Sequence, residues 1–78
     1  MTTIAEQTQA MRAYDRLRDV AWRLAWSVVA DAEACCAAIE AAFEDRAARG
    51  ASWDSDAAIL VDVHRAACVR ASALTSAH

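Results

Sequence analysis

The sequence predicts an all-α fold, a compact three-helix domain whose first helix is long. Two compositional facts point this way: the 78 residues include no proline and a single glycine, Gly50, while 22 residues are alanine. Alanine has the highest intrinsic helix propensity, and arginine, the only basic residue type here besides histidine, is close behind. The third observation is that apolar residues recur at helical spacing in three segments, about 3–29, 32–48 and 55–75. A chain of 78 residues has a suitable length for one domain, and we expect that domain to span residues 1–78.

The first helix carries two apolar stripes on nearly opposite sides, at about 100° per residue. One stripe is Leu17, Ala21, Leu24 and Val28; the other is Ile4, Met11, Trp22, Trp26 and Val29. A small three-helix domain cannot easily cover both. Unless the helix is sandwiched or its tryptophans cover a loop of the domain itself, the second stripe is a partner surface. An aromatic centre with a charged rim is typical of binding hot spots, so we expect partner-binding residues at Met11, Arg18, Trp22, Trp26 and Val29.

Capping residues set the bounds of the other two helices. Asp31 is a good N-cap, and Gly50 can adopt the left-handed conformation that ends a helix. Ser52, Asp54 or Ser55 is expected to cap the third helix. Each helix then has one apolar face: Ala32, Cys36, Ile39, Phe43 and Ala47 on the second, and Leu60, Val63, Ala67, Ala71 and Leu74 on the third. Trp53, flanked by acidic residues, is expected to plug the start of the third helix.

The three cysteines leave three interpretations open. Free cysteine is often buried as a small apolar residue, and Cys36 is in phase with Ile39 and Phe43. We therefore expect Cys36 in the core and no cofactor. The first alternative is a zinc site, because His64 and Cys68 lie one helical turn apart and Cys35 or Cys36 could add a further thiolate. The second is a thiol switch. An odd number of cysteines, without a secretory signal at the N-terminus, favours a cytoplasmic protein.

Several function classes are disfavoured. The chain has two histidines, and the pair His64 and Cys68, with Asp62 nearby, has no loop suited to stabilise an oxyanion. Because no nucleophile is clearly placed with a base and an orienting group, we expect no enzyme activity. The net charge is −3 with no basic patch, which argues against autonomous nucleic-acid binding. No apolar run is long enough to cross a membrane.

From Tyr14 onward the order of features resembles region 2 of extracytoplasmic-function-type RNA polymerase sigma factors. Over about 14–70, five segments carry the resemblance: Tyr14–Ala25, Ala30–Glu33, Glu40–Phe43, Arg49–Gly50 with Trp53, and Val61–Ala66. Where the family has the carboxylates that engage polymerase, this chain has Cys35, Cys36 and Ala37, with only Glu40 acidic. The arginines and aromatics that melt promoter DNA are mostly absent from 53–70.

The resemblance implies a degenerate, stand-alone region 2 domain that regulates transcription by binding an anti-sigma factor or RNA polymerase. A second likeness gives an alternative: His64, Cys68 and Ala71 are similar to the metal motif of zinc-binding anti-sigma domains, with Ala71 replacing the last cysteine. A self-associating helical subunit, such as a homodimer, is the third hypothesis.

Overall fold

The computed structural model describes residues 4–76, which form three α-helices: α1 (Ile4–Val28), α2 (Ala32–Ala48) and α3 (Asp56–Ser76). Each helix packs against the other two, and no strand occurs within the described range. At 1.5 Å per residue α1 is about 37 Å long, most of the 43 Å length of the molecule. The predicted all-α fold with a long first helix is confirmed; the expected start of α1 at residue 3 lies outside the described residues.

The break between α1 and α2 is capped as the sequence predicts. Asp31 has extended backbone dihedral angles, φ −147° and ψ 122°, and its carboxylate accepts a hydrogen bond of 2.9 Å from the N–H of Ala34. This bond satisfies one of the N–H groups that the first turn of a helix leaves unpaired. Asp31 therefore fixes where α2 begins.

Capping hydrogen bonds also fix the end of α2 and the start of α3. Gly50 has φ +66°, its N–H donates to Ala47 O, and the N–H of Ala51 donates to Arg46 O, both at 3.1 Å. This pair of bonds is the Schellman motif, which favours glycine because a side chain at positive φ is strained. Of the three candidate caps for α3, Ser55 fills the role, accepting a bond of 3.2 Å from Ala58 N–H.

The core is small because alanine supplies much of it. Within residues 4–76, six of the thirteen buried hydrophobic residues are alanines, and the largest fully buried side chains are Ile59, Val63 and Cys35. Small side chains let the helices approach closely but bury little apolar area each. The core has two clusters, one around Ala21, Ala25 and Val63 and one around Leu17 and Ile59, and half-buried Phe43 packs against both.

Trp53 is buried at the start of α3, as expected for a plug. Its ring stacks on Phe43 with centroids 5.6 Å apart, and the guanidinium of Arg46 lies 5.9 Å from the ring centroid. Arg46 itself is buried, donates to Ser52 O at 2.8 Å and pairs with Asp62 of α3. The α2–α3 loop is therefore closed by an aromatic stack and a buried ion pair.

The buried face of α2 differs from the predicted one. The structure buries Cys35, Ala38, Ile39, Ala42 and Arg46, so the face is rotated by about 80° from the predicted centre at 100° per residue. Cys36 and Ala32 are exposed, and the prediction of a core position for Cys36 is wrong. The reason is that α2 packs against both α1 and α3, and the face buried by these two contacts carries Ala38 and Ala42, while Phe43 is only half-buried.

The faces of the other two helices are predicted better. In α1 the core includes Leu17 and Ala21 as expected, while Leu24 and Val28 are only half-buried. In α3, Val63 and Ala67 are buried as predicted. Leu60 and Ala71 are half-buried, Leu74 is exposed, and Ile59 replaces them as the largest core residue of the helix.

Candidate protein-binding face

The second apolar stripe of α1 is largely exposed. Met11 is 67% exposed, Trp26 45% and Ile4 83%, while Arg18 is exposed and Trp22 half-buried against the core. Val29 departs from the prediction: it follows α1, is 4% exposed and belongs to the larger core cluster. Its predicted place in the partner-binding stripe is therefore wrong, because the chain turns inward before Asp31 begins α2.

The C-terminal part of this stripe is an aromatic patch, formed by Trp22, Arg23 and Trp26 beside Ala32. The two indole rings stack with centroids 6.1 Å apart and an interplanar angle of 21°. The residues are four apart in α1, so their side chains share one face of the helix. Stacking fixes two large rings against each other, which lowers the entropy lost when a partner covers them.

Toward the N-terminal half of the stripe lies an apolar hollow between α1 and α2, with a volume of about 490 Å³. Its walls are Ala10, Met11, Tyr14, Ile39 and Phe43, and Asp15, Glu40 and Glu44 stand at its rim. Tyr14 meets Phe43 edge to face, with ring centroids 5.6 Å apart and planes at 79°. An aromatic contact between α1 and α2 thus forms part of the lining of the hollow.

A smaller depression, of about 250 Å³, adjoins both the hollow and the aromatic patch. It is lined by Tyr14, Arg18, Asp19, Trp22, Cys36, Ile39 and Glu40. The patch, depression and hollow therefore form one continuous surface, which we call the α1–α2 face. Cys36, expected in the core, lies on this face.

Four carboxylates on the α1–α2 face have no charged partner among residues 4–76. Asp15, Asp19, Glu40 and Glu44 are exposed, and none makes an ion pair or side-chain hydrogen bond within residues 4–76. By contrast, the arginines that form ion pairs are Arg16, Arg46 and Arg49, and none of them lines the α1–α2 face. A hydrogen bond of 2.6 Å to Asp56 raises the pKa of Arg16, and hydrogen bonding to Asp45 raises that of Arg49.

The cysteines do not come together. Cys35 is buried, and its thiol donates to Val29 O at 3.1 Å. Cys68 Sγ lies 3.8 Å from His64 Nδ1 on α3, but Cys36 lies on the α1–α2 face. Within residues 4–76 no group of three or more His, Cys, Asp or Glu side chains is arranged to hold a metal ion.

Sequence reasoning missed the hollow, although it identified the tryptophans. Tyr14, Ile39 and Phe43 come from two helices, and which faces meet depends on the rotation of α2. The available signal was the spacing of Met11, Tyr14 and Arg18, which places Tyr14 beside the stripe.

No protein-family model matches the sequence, and neither a curated protein nor a solved structure is detectably similar to it. None of the helices within residues 4–76 has the length and apolar character needed to span a bilayer.

Proposed function

We propose that the chain is a non-enzymatic protein-binding module, a regulator of transcription that binds an anti-sigma factor or RNA polymerase without melting promoter DNA. The observation that carries this proposal is the α1–α2 face. A small domain leaves two stacked tryptophans and an apolar hollow uncovered on one side, rimmed by carboxylates that form no ion pair within residues 4–76. Large exposed aromatic surfaces of this kind are typical of interaction sites.

The choice of a transcription partner depends on the resemblance to sigma factor region 2. The three helices, the Asp31 cap and the Arg49–Gly50 turn with Trp53 occur in the order that the resemblance implies. The charge distribution supports binding to protein over nucleic acid. Arg16, Arg46 and Arg49 are held in ion pairs. The α1–α2 face carries four carboxylates without an ion pair within residues 4–76 against two arginines, Arg18 and Arg23, so its net charge would repel phosphate.

The test is equilibrium binding of the purified chain to core RNA polymerase and to an anti-sigma factor from the same organism. We expect saturable binding to one of them, displaced by an intact extracytoplasmic-function-type sigma factor that uses the same site. A Trp22→Ala variant should bind more weakly, whereas Val61→Ala, an exposed apolar residue of α3, serves as the matched control. Absence of binding to both partners would refute the proposed function.

A further inference from the structure

Cys68 lies on α3 beside an imidazole. Its Sγ is 3.8 Å from Nδ1 of His64 and 3.9 Å from Nε2, so either ring nitrogen is near enough to take up the thiol proton as the ring turns. The two residues are four apart in one helix, which keeps them on the same face. His64 is exposed and Cys68 is half-buried, so the pair is open to small solutes.

The surroundings of Cys68 on its own helix are cationic. Side chains three and four positions apart are neighbours in an α-helix, and on the N-terminal side of Cys68 these neighbours are Arg65 and His64. The corresponding residues on its C-terminal side carry no charge. Neither His64 nor Arg65 forms an ion pair within residues 4–76, and Asp62 is engaged by arginines of α2. The exposed Arg65 therefore leaves a positive charge beside the sulfur.

Cys36 has the opposite surroundings, although it is the more exposed thiol. Its neighbours three positions before and four positions after it in α2 are Glu33 and Glu40, both exposed. It also lines the depression of the α1–α2 face, where Arg18 is accompanied by Asp19 and Glu40. An anion that approaches Cys36 therefore meets more negative than positive charge.

We propose that Cys68 is a modification site that forms a mixed disulfide with a small anionic disulfide, with His64 as the proton acceptor and Arg65 as the group that attracts the anion. Reactive cysteines are partly exposed and lie next to histidine, arginine or lysine, as Cys68 does. Cys68 does not line the α1–α2 face, so the proposal goes beyond the proposed function and does not depend on it.

The reaction is a thiol–disulfide exchange, in which the thiolate is the attacking form. The Cys68 thiol gives its proton to the His64 ring, and the sulfur attacks one sulfur of the small disulfide. A new S–S bond forms to Cys68 as the old one breaks. The other half leaves as a thiolate and recovers the proton from the imidazolium. Cys68 is thereby oxidised and the departing sulfur is reduced, and an excess of the small thiol reverses the step.

The wild-type chain contains its own comparison. Cys35 is buried and its thiol donates to Val29 O, so it should react slowly in the folded chain. If exposure alone set the rate, Cys36 would react fastest. If charge and a nearby base set it, Cys68 reacts faster than Cys36 with an anionic disulfide, and the order narrows or reverses with a cationic one.

The test treats the reduced, folded full chain with glutathione disulfide, which is anionic, or with cystamine, which is cationic. Mass spectrometry of peptides from quenched samples gives the rate at each cysteine. At low ionic strength, where screening is weak, we expect glutathione disulfide to modify Cys68 about fivefold or more faster than Cys36. A faster reaction at Cys36, or the same Cys68-to-Cys36 ratio with both reagents, would overturn the proposal. This comparison needs no substitution and so does not depend on a variant that folds.

Substitutions then assign the two roles. His64→Gln should slow modification of Cys68 by both disulfides, because it removes the proton acceptor. Arg65→Gln should slow only the reaction with glutathione disulfide. Arg70→Gln is the matched control, since it removes the same charge from α3 two residues from Cys68, on another side of the helix. Circular dichroism verifies that each variant is folded. An unchanged Cys68 rate in His64→Gln, or equal slowing by Arg70→Gln and Arg65→Gln, would refute the assigned roles.

Discussion

Arg46 of α2 is held inside the α2–α3 contact by Asp62 of α3, with their side chains only 8% and 14% exposed. The guanidinium also donates to Ser52 O and lies over the Trp53 ring. Arg46 therefore has a counter-charge in Asp62 and a backbone hydrogen-bond acceptor in Ser52. Arg49 reaches the same Asp62 carboxylate at 3.0 Å from the solvent side. One aspartate thus joins the last turn of α2 to α3.

Removing that aspartate should be costly. Asp62→Ala leaves the Arg46 guanidinium buried without its counter-charge, and we expect a loss of about 3 kcal/mol in the free energy of unfolding. Asp45→Ala is the matched control, because Asp45 pairs with Arg49 on the surface and should change stability by less than about 0.5 kcal/mol. Urea denaturation followed by circular dichroism measures both; similar losses in the two variants would contradict the buried pair.

The adjacent cysteines should behave differently. Cys35→Ala removes a buried sulfur and its hydrogen bond to Val29 O, and should reduce the free energy of unfolding by about 1–2 kcal/mol. Cys36→Ala should change it by less than about 0.5 kcal/mol, since Cys36 is exposed. Urea denaturation at low protein concentration, where association does not contribute, makes the comparison. A larger loss at Cys36 would restore the core face expected from the sequence.

Two tryptophans offer a second contrast. Trp53→Ala empties the space between Phe43 and Arg46 and should destabilise the fold by about 3–4 kcal/mol. Trp26→Ala should cost less than about 1 kcal/mol, because nearly half of its surface already contacts solvent. Thermal unfolding monitored by circular dichroism should show a much lower melting temperature for Trp53→Ala alone. Equal shifts would mean that Trp26 is a core residue.

DNA binding should be undetectable. Although Asp56 and Asp62 are neutralised by arginines, that pairing also removes Arg16, Arg46 and Arg49 as free phosphate ligands. Fluorescence anisotropy with duplex or single-stranded promoter DNA should show no binding in about 150 mM salt. A micromolar or tighter dissociation constant would contradict both the proposed function and the charge argument.

The limits of the helices follow from local chemistry, which is why the sequence predicts them. Asp31, Gly50 and Ser55 act on backbone groups within four residues of themselves, so their roles depend little on the rest of the fold. Trp53 is similar, because an aromatic between a tight turn and a helix start has few places to be buried.

The rotation of α2 depends on tertiary structure, and there the prediction failed. From the sequence, Arg46 is expected to be a solvent-exposed cation. In the structure it pairs with Asp62, which lies sixteen residues later in the chain. Alanines add little to an apolar pattern, yet Ala38 and Ala42 lie on the buried face of α2. The hollow was missed for the same reason, because its walls meet only when α2 has the observed rotation.

Association of the Trp22→Ala, Trp26→Ala double variant is the most direct test of the claim that this chain works through the α1–α2 face. Binding to core polymerase, to an anti-sigma factor or to itself should weaken by at least about 2 kcal/mol, roughly thirtyfold, with the helical circular-dichroism spectrum intact. The Val61→Ala, Val69→Ala double variant on α3 should match wild type. If the tryptophan variant unfolds as a monomer without any change in association, the tryptophans are structural and the α1–α2 face is not the binding surface.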